Sequence, residues 1–321
     1  MRAIKLLLGN ELIEGSNKVS IKSNGDLYVN ELIEGGVEQN KTYTRPADWL
    51  PMPELVEGDQ KIVGLHAVFN HDSNFCAFTV SGAYTVDWGD GTSDSYTSGA
   101  TAYHIFNYAD LGADTECSRG YRQAIVTITP QEGQNLTSIN FNVKHNQIGL
   151  QDGYSTGWLD VKAVGANIDT LTFGSDARSA MLEIFEFVGS NSIANFSFMF
   201  DSCYSLQSIP QLDTSSGTDF SDMFYCCYSL QSIPQLDTSS GTNFSYMFYY
   251  CYSLSTGTLS GTSATISYSN CRLSRQALVD IFNGLATVTG QTITITSNWG
   301  AAELTEADRA IATDKGWTIT G

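Results

Sequence analysis

Four sets of side chains in this 321-residue sequence have types and spacings that could do chemistry. The first is acidic. Asp87, Asp90 and Asp94 surround the run Asp87-Trp88-Gly89-Asp90-Gly91, and hard carboxylate oxygens on a turn would suit a calcium ion. Their spacing does not follow an EF-hand loop. Carboxylates that accept from turn amides fit the pattern better, with Gly89 and Gly91 supplying positive φ. The second set is Glu183 and Glu186, a local carboxylate pair of the kind that glycoside hydrolysis uses, but with no cleft signature around it. The third is the cysteines. Cys203, Cys227 and Cys251 recur at one spacing, and all four histidines lie before residue 150. A zinc site would want Cys-x-x-Cys pairs or nearby histidines, so the spacing points to a column of small buried apolar groups. His104 is expected to pack in a core. The fourth set is tyrosine: Tyr225, Tyr228, Tyr249, Tyr250 and Tyr252. Exposed tyrosines combine apolar area with a hydroxyl, which suits carbohydrate or protein contact; lateral packing against a neighbouring subunit, or plain solvent exposure, is the other reading. There is no P-loop, G-x-G-x-x-G, H-E-x-x-H or G-x-S-x-G. Catalysis, a metal site and a cofactor are therefore not expected.

A repeat must position the cysteines and tyrosines. CYSLQSIPQLDTSSGT stands at 203–218 and again, letter for letter, at 227–242. A Met-Phe pair recurs at 199–200, 223–224 and 247–248, so the period is 24. Such a period points to a solenoid of short coils, each too small to bury its own apolar face. Phe196, Met199, Phe200 and Cys203 fall at i, i+3, i+4 and i+7, the pattern of a short helix. Leu206, Ile209 and Leu212 carry an extended segment that Pro210 keeps from helix, and Asp213 to Gly217 is turn chemistry.

Columns that stay constant between copies are assigned to the core: Met199, Met223 and Met247; Phe200, Phe224 and Phe248; Cys203, Cys227 and Cys251; Leu206, Leu230 and Leu254. Columns that change character are assigned to solvent or a partner: Phe198, Asp222 and Tyr246; Asp201, Tyr225 and Tyr249; Ser202, Cys226 and Tyr250. Upstream, 158–196 reads as degenerate coils. Downstream, LSRQALVDIFNGLA reads as an amphipathic helix with Ser274 as N-cap. QTITITSN reads as a strand, and a short helix over 304–313 precedes Trp317. Together they would cap the stack. The run M-F-x-x-C-x-S-L-x-x-I-P-x-L-D-T-S resembles the BspA-type leucine-rich repeats of microbial surface proteins, well over 190–255 and loosely over 158–290. That resemblance implies adhesion and surface display. The repeats, followed by the L-S-x-x-A-L helix and Q-T-I-T-I-T strand, also resemble predicted proteins of aquatic phage genomes.

Before the repeats, apolar stretches at 62–69, 75–80, 84–88, 124–129 and 138–143 alternate with Gly-, Asn- and Ser-rich turns, as in a β-sandwich. V-D-W-G-D-G-T, with Tyr103-His104-Ile105-Phe106 and the strand after it, resembles the polycystic-kidney-disease-type immunoglobulin-like domain, which implies a spacer or binding module. The loop carrying Cys117 and Arg119 is longer than that family's usual connection.

The expected fold is mainly β and multidomain. Residues 1–41 form a β-hairpin anchor, with NELIEG at 10–15 and 30–35 and a turn at Asn24-Gly25. Residues 42–58 form a proline-containing linker, 59–150 the sandwich, 151–268 the leucine-rich-repeat-like solenoid, and 269–321 an α/β cap. A hydrophobic share of 42% suffices for packed cores, while charged residues at 16% leave the polar surface to Gly, Ser, Thr, Asn and Tyr, as in turn-rich β-structure. A net charge of -18 would repel nucleic acid and anionic lipid, so neither is an expected partner. The start, MRAIKLLLGNELIEG, lacks a secretory apolar run, and no stretch reaches transmembrane length. The expectation is synthesis in a host cytoplasm and a place on the surface of a virion. Other virion proteins would be bound through the N-terminal segment, and host-surface glycan or protein through the solenoid. The chain would be present as a homo-oligomer or in many copies. A dedicated receptor-binding adhesin or a bacterial cell-surface adhesin are the alternatives, a polysaccharide depolymerase a more distant one.

Overall fold

The computed structural model describes residues 43–149, 154–174 and 178–321, together with four short strands nearer the N-terminus. The protein is mainly β, with two short α-helices. Contacts divide it into two units, Met1–Tyr43 and Thr44–Gly321. In the first, β1 (Leu6–Leu8) pairs antiparallel with β2 (Glu11–Ile13), and β3 (Val19–Ile21) with β4 (Leu27–Val29), placing Val19 opposite Val29. The expected turn at Asn24-Gly25 and both NELIEG motifs, apart from Glu11–Ile13, lie outside the described residues.

The second unit opens with two sheets built from β5 (Lys61–Val68), β6 (Phe75–Val80), β7 (Tyr84–Asp87), β8 (Ser93–Tyr96), β9 (Thr101–Ile105), β10 (Arg122–Pro130), β11 (Ser138–Asn140), β12 (Trp158–Val164), β13 (Thr170–Thr172) and β14 (Ile184–Val188). One sheet has the order β14-β12-β5-β10-β7-β8, the other β13-β11-β6-β9. They share one apolar interior: Phe78 of the second sheet meets Tyr84 and Trp158 of the first. All five apolar stretches expected as strands contain strands. Gly64 in β5 lies under the Trp158 ring, where a Cβ would sit 2.4 Å from a ring carbon.

β5 is buried at seven consecutive positions because both faces of its sheet are covered. The outer cover is the segment expected as a linker. Trp49 is buried against Leu65, Ala67 and Tyr121, its indole N–H donates to the Tyr121 hydroxyl (3.0 Å), and the Arg45 and Arg119 guanidinium groups both lie 5.5 Å from its ring. Arg45 also donates to the buried Asp160 carboxylate (2.8 Å) and to the carbonyls of Trp49 and Leu50. Three prolines leave the segment short of backbone donors, so side chains fasten it. It is a docked strap.

The expected boundary at residue 150 is likewise bridged. β12 pairs antiparallel with β5, and β13 runs parallel to β11. Strands β12, β13 and β14 therefore belong to the sheets and also begin the stack that follows, with Ile184 bridging in parallel to Ser208. From there the copies superpose along one direction. Parallel bridges join Asn195 to Asp219 and Asp219 to Asn243, and Ser208 to Ser232 and Ser232 to Thr256. A file of near-parallel rings runs Phe141, Phe173, Phe200, Phe224, Phe248, Tyr268, with centroids 4.7 to 5.7 Å apart. A second file runs Phe196, Phe220, Phe244. The constant Met, Phe, Cys and Leu columns are all buried in this same core. Cys227 and Cys251 donate to the Phe200 and Phe224 carbonyls (both 3.1 Å), and all seven cysteines are buried free thiols.

The short helix expected from the Phe196, Met199, Phe200, Cys203 spacing is not formed. Phe198 and Ser202 adopt left-handed φ of 57° and 58°, and the corresponding residues of the next copies do the same. Backbone N–H groups then alternate. Phe198, Phe200 and Ser202 donate to Ser221, Met223 and Tyr225 of the next copy, while Met199, Asp201 and Cys203 donate three residues back. A left-handed residue every fourth position breaks the helical ladder and turns every second donor toward the neighbouring coil. The apolar spacing of a helix is thus produced by linked turns.

β15 (Leu236–Asp237) and β16 (Leu259–Ser260) continue the stack, followed by β17 (Ile266–Ser267), α1 (Arg275–Gly284), β18 (Gln291–Thr294), α2 (Glu306–Thr313) and β19 (Trp317–Thr320). Ser274 caps α1 as expected, accepting from Ala277 N–H. Strands β17, β18 and β19 form a parallel sheet, and Leu278, Ile281 and Phe282 of α1 close the apolar core.

Candidate binding surface

The carboxylates of the tight turn are engaged within it. Asp90 accepts from Thr92 N–H and Oγ1 through one oxygen and contacts His104 Nε2 (2.7 Å) through the other. Asp87 accepts from Gly89 N–H, and Asp94 from the Trp88 indole (2.9 Å). Trp88 is buried and stacks on His104 at 4.3 Å. Burial alone would raise the Asp90 pKa, but the bonds from Thr92 and His104 outweigh it and hold the carboxyl below its ordinary range. Gly89 has φ of 75° and its Cα faces the Ile125 backbone, so a side chain there would collide. The turn locks β7 to β9 and β10. Among the described residues no cluster of His, Cys, Asp or Glu is placed to hold a metal ion. Glu183 and Glu186 are each bound to a different basic residue, Glu183 to Arg119 and Glu186 to Lys162 (2.9 Å). Burial pushes the Cys203, Cys227 and Cys251 thiols well above their ordinary pKa, so they are poor nucleophiles.

The large apolar side chains that the stack exposes are aromatic. Tyr204, Tyr228 and Tyr252 form a ladder with ring separations of 4.9 and 5.9 Å. Arg178 lies over Tyr204 (5.8 Å). In the C-terminal turns Arg272, which follows Cys271 as Tyr252 follows Cys251, lies over the exposed Trp299 (5.5 Å). Beside the ladder, Tyr225 stacks on Tyr249 (5.4 Å), and Tyr249 contacts both Tyr246 and Tyr250. Tyr250 in turn meets Tyr252, so the two files merge into one patch. Tyr228, Tyr246, Tyr249 and Tyr252 are exposed. The Tyr249 hydroxyl donates to that of Tyr250 (3.2 Å), which raises the Tyr249 pKa.

The variable columns are sorted by geometry. Phe198, Asp222 and Tyr246 all have left-handed φ, and so do Ser202, Cys226 and Tyr250. Phe198 and Tyr246 are exposed and Asp222 is half-buried. Asp201, assigned to solvent or a partner, is instead 7% exposed, and its carboxylate accepts from the Ser202 hydroxyl (2.9 Å). Tyr225 in the same column is half-buried and Tyr249 exposed, so one column passes from interior to surface along the stack. Ser202 and Cys226 are buried as well. Gly174 lies against the Asp201 carbonyl, where a Cβ would collide with it.

Tyr follows Cys in all three copies; Tyr228 and Tyr252, two of the tyrosines expected at the surface, are exposed, and Tyr204 is half-buried. Arg178, Arg272 and Trp299 carry no repeat letter at all.

Residues 173–268 match the sequence profile of a family described as Mycoplasma protein of unknown function, DUF285. That family is related to leucine-rich and BspA-like repeats. The match contains all three copies and the tyrosine patch. No curated protein matches the chain, and no solved structure does.

Proposed function

We propose that this chain is a non-enzymatic structural and adhesive protein of a bacteriophage surface, a capsid decoration or a fibre. In this reading the two sheets of 61–188 are a spacer of the polycystic-kidney-disease, immunoglobulin-like type. The coils of 173–268 are a leucine-rich-repeat-like solenoid, and the final helices and strands cap it. Residues 1–41 attach the chain to a neighbouring virion protein. The observation that carries the reading is the patch of exposed, mutually stacked tyrosines on a rigid repeat stack. Stacking prepays the ordering of these rings, so contact with a partner costs little side-chain entropy. Meanwhile the acidic groups and thiols that could do chemistry are engaged in turns, ion pairs or the core.

The match to a family named for mycoplasma supports a second reading, an adhesin on a bacterial cell. Antibody raised against 173–268 and imaged on intact particles by electron microscopy separates the two. Labelled particles are expected; labelled cells with bare particles would favour the second reading. Changing Tyr225 and Tyr249 together to Ser is expected to weaken host-cell binding without unfolding the chain, and undiminished binding would remove the patch from the contact. Deletion of residues 1–40 is expected to abolish incorporation; normal incorporation would end the anchor assignment.

A further inference from the structure

Two grooves open on the stack, and each is built around one of the exposed left-handed aromatics. The first, of about 230 Å³, includes Asn142, Thr170, Thr172, Asn195 and Phe198. The second, of about 360 Å³, lies between the first turn of the third copy and strands β17 and β18. Its polar wall includes Asn243, Thr265, Ser267, Gln291 and Thr294, with Tyr246 at its rim. That volume falls in the range of small-molecule sites, roughly 300–1,000 Å³.

Three observations define what the second groove can hold. No lining residue is charged, although the chain carries 34 acidic and 16 basic residues. Recognition of phosphate, sulfate or carboxylate calls for Arg or Lys, and recognition of a cation calls for carboxylates. Their absence from the wall leaves neutral ligands. Next, the wall offers amide and hydroxyl groups in fixed positions. Gln291 Oε1 accepts from both Thr265 N–H and Thr265 Oγ1 (2.8 Å each), which settles the orientation of the amide and leaves its NH₂ edge as a donor. Asn243 Oδ1 accepts from Ser245 N–H, which fixes that amide in the same way. Last, Tyr246 is 61% exposed at φ of 54°. A bulky side chain at positive φ is a strained choice where Gly or Asn would serve. Burial does not repay the strain, because the ring is exposed. The equivalent residue of the middle copy is Asp222, a type that tolerates this backbone, and the aromatic replacements occur at the two positions that border grooves.

We propose that this groove binds a neutral saccharide. The apolar C–H face of a pyranose ring lies on Tyr246, and its hydroxyls bond to the amides of Asn243 and Gln291 and the hydroxyl of Thr294. This deepens the contact role proposed above and rests on it for the source of the ligand, a glycan presented outside the particle.

The test is calorimetric titration of the full-length chain with oligosaccharides of neutral hexose and N-acetylhexosamine units, and with sialylated and sulfated counterparts. Saturable binding of a neutral oligosaccharide is expected, with little change between low and high salt. Tyr246→Asn keeps a residue suited to the left-handed backbone and is expected to weaken that binding by about tenfold or more. Thr294→Val is expected to weaken it with the fold unchanged in thermal unfolding, while Asp222→Asn leaves it as it was. Absence of neutral saccharide binding, binding confined to the charged sugars, or a Tyr246→Asn variant that binds like the parent would each overturn the proposal. Particles that are labelled by antibody while no saccharide binds would sink the groove assignment and leave the surface assignment standing. Saccharide binding by a chain that labels no particles would do the reverse.

Discussion

Phe224→Ala tests whether the stack and the sheets share one core. Phe224 is fully buried between Phe200 and Phe248, each 5.7 Å away and within 8° of parallel. Truncation removes the ring and both stacking contacts, while the Phe224 carbonyl that accepts from the Cys251 thiol stays in place. A buried Phe→Ala change costs about 3–5 kcal/mol, including the cavity it leaves. At about 2–4 °C per kcal/mol for a unit of this size, the midpoint should fall by roughly 6–20 °C. The same ring file reaches Phe141 at one end and Tyr268 at the other, so the whole transition should move as one. The assay is thermal unfolding followed by far-UV and near-UV circular dichroism, with Phe198→Ala as control. Phe198 is the same side chain at an exposed site and should shift stability by no more than about 0.5 kcal/mol. Equal losses in the two variants would refute the assignment of inside and outside. A separate early transition in Phe224→Ala, with the sheets still melting at the parent temperature, would refute the shared core.

Four further outcomes follow from single sites. Phe198→Asn, which relieves a left-handed aromatic, should raise the urea midpoint by the equivalent of about 1 kcal/mol; a loss would mean that the ring packs. Tyr268 replaces Phe in the ring file and its hydroxyl has no hydrogen-bond partner among the described residues, so Tyr268→Phe should stabilise by about 1 kcal/mol, and destabilisation would reveal an unseen acceptor. Burial holds the His66 pKa at about 3, below its ordinary value of 6.5, with Nε2 accepting from Gly157 N–H. An unfolded chain binds that proton more readily, so this contribution is complete above pH 6.5 and falls by about 1.4 kcal/mol per unit as pH drops toward 3; His66→Gln should flatten that slope in urea melts taken between those limits. Arg45→Met leaves Asp160, 1% exposed, as an unpaired buried carboxylate and should cost about 3–5 kcal/mol, largely recovered by adding Asp160→Asn; equal stability of the single and double variants would dismiss the pair.

The sequence by itself determined the inside of the repeat. A 24-residue period with Met, Phe, Cys and Leu held constant can bury those groups only by stacking, and all four columns are interior. Strand positions in 62–143 were legible from alternation, and the α1 cap from Ser274. The turn that replaces the expected helix was not legible, because apolar spacing records which residues face inward and not how the backbone brings them there. Only the left-handed φ at positions such as Phe198 and Ser202 distinguishes linked turns from a helix. Variation between copies misplaced Asp201, which changes character yet is buried, since neighbours far along the chain decide exposure. The strap over β5, the strands β12 to β14 that join sheets to stack, and the meeting of Gln291 and Asn243 on one groove all bring together distant segments. Local pattern carries the preference of each residue for an interior or a turn. Which interior it enters, and what it meets there, depends on the packing of the whole chain.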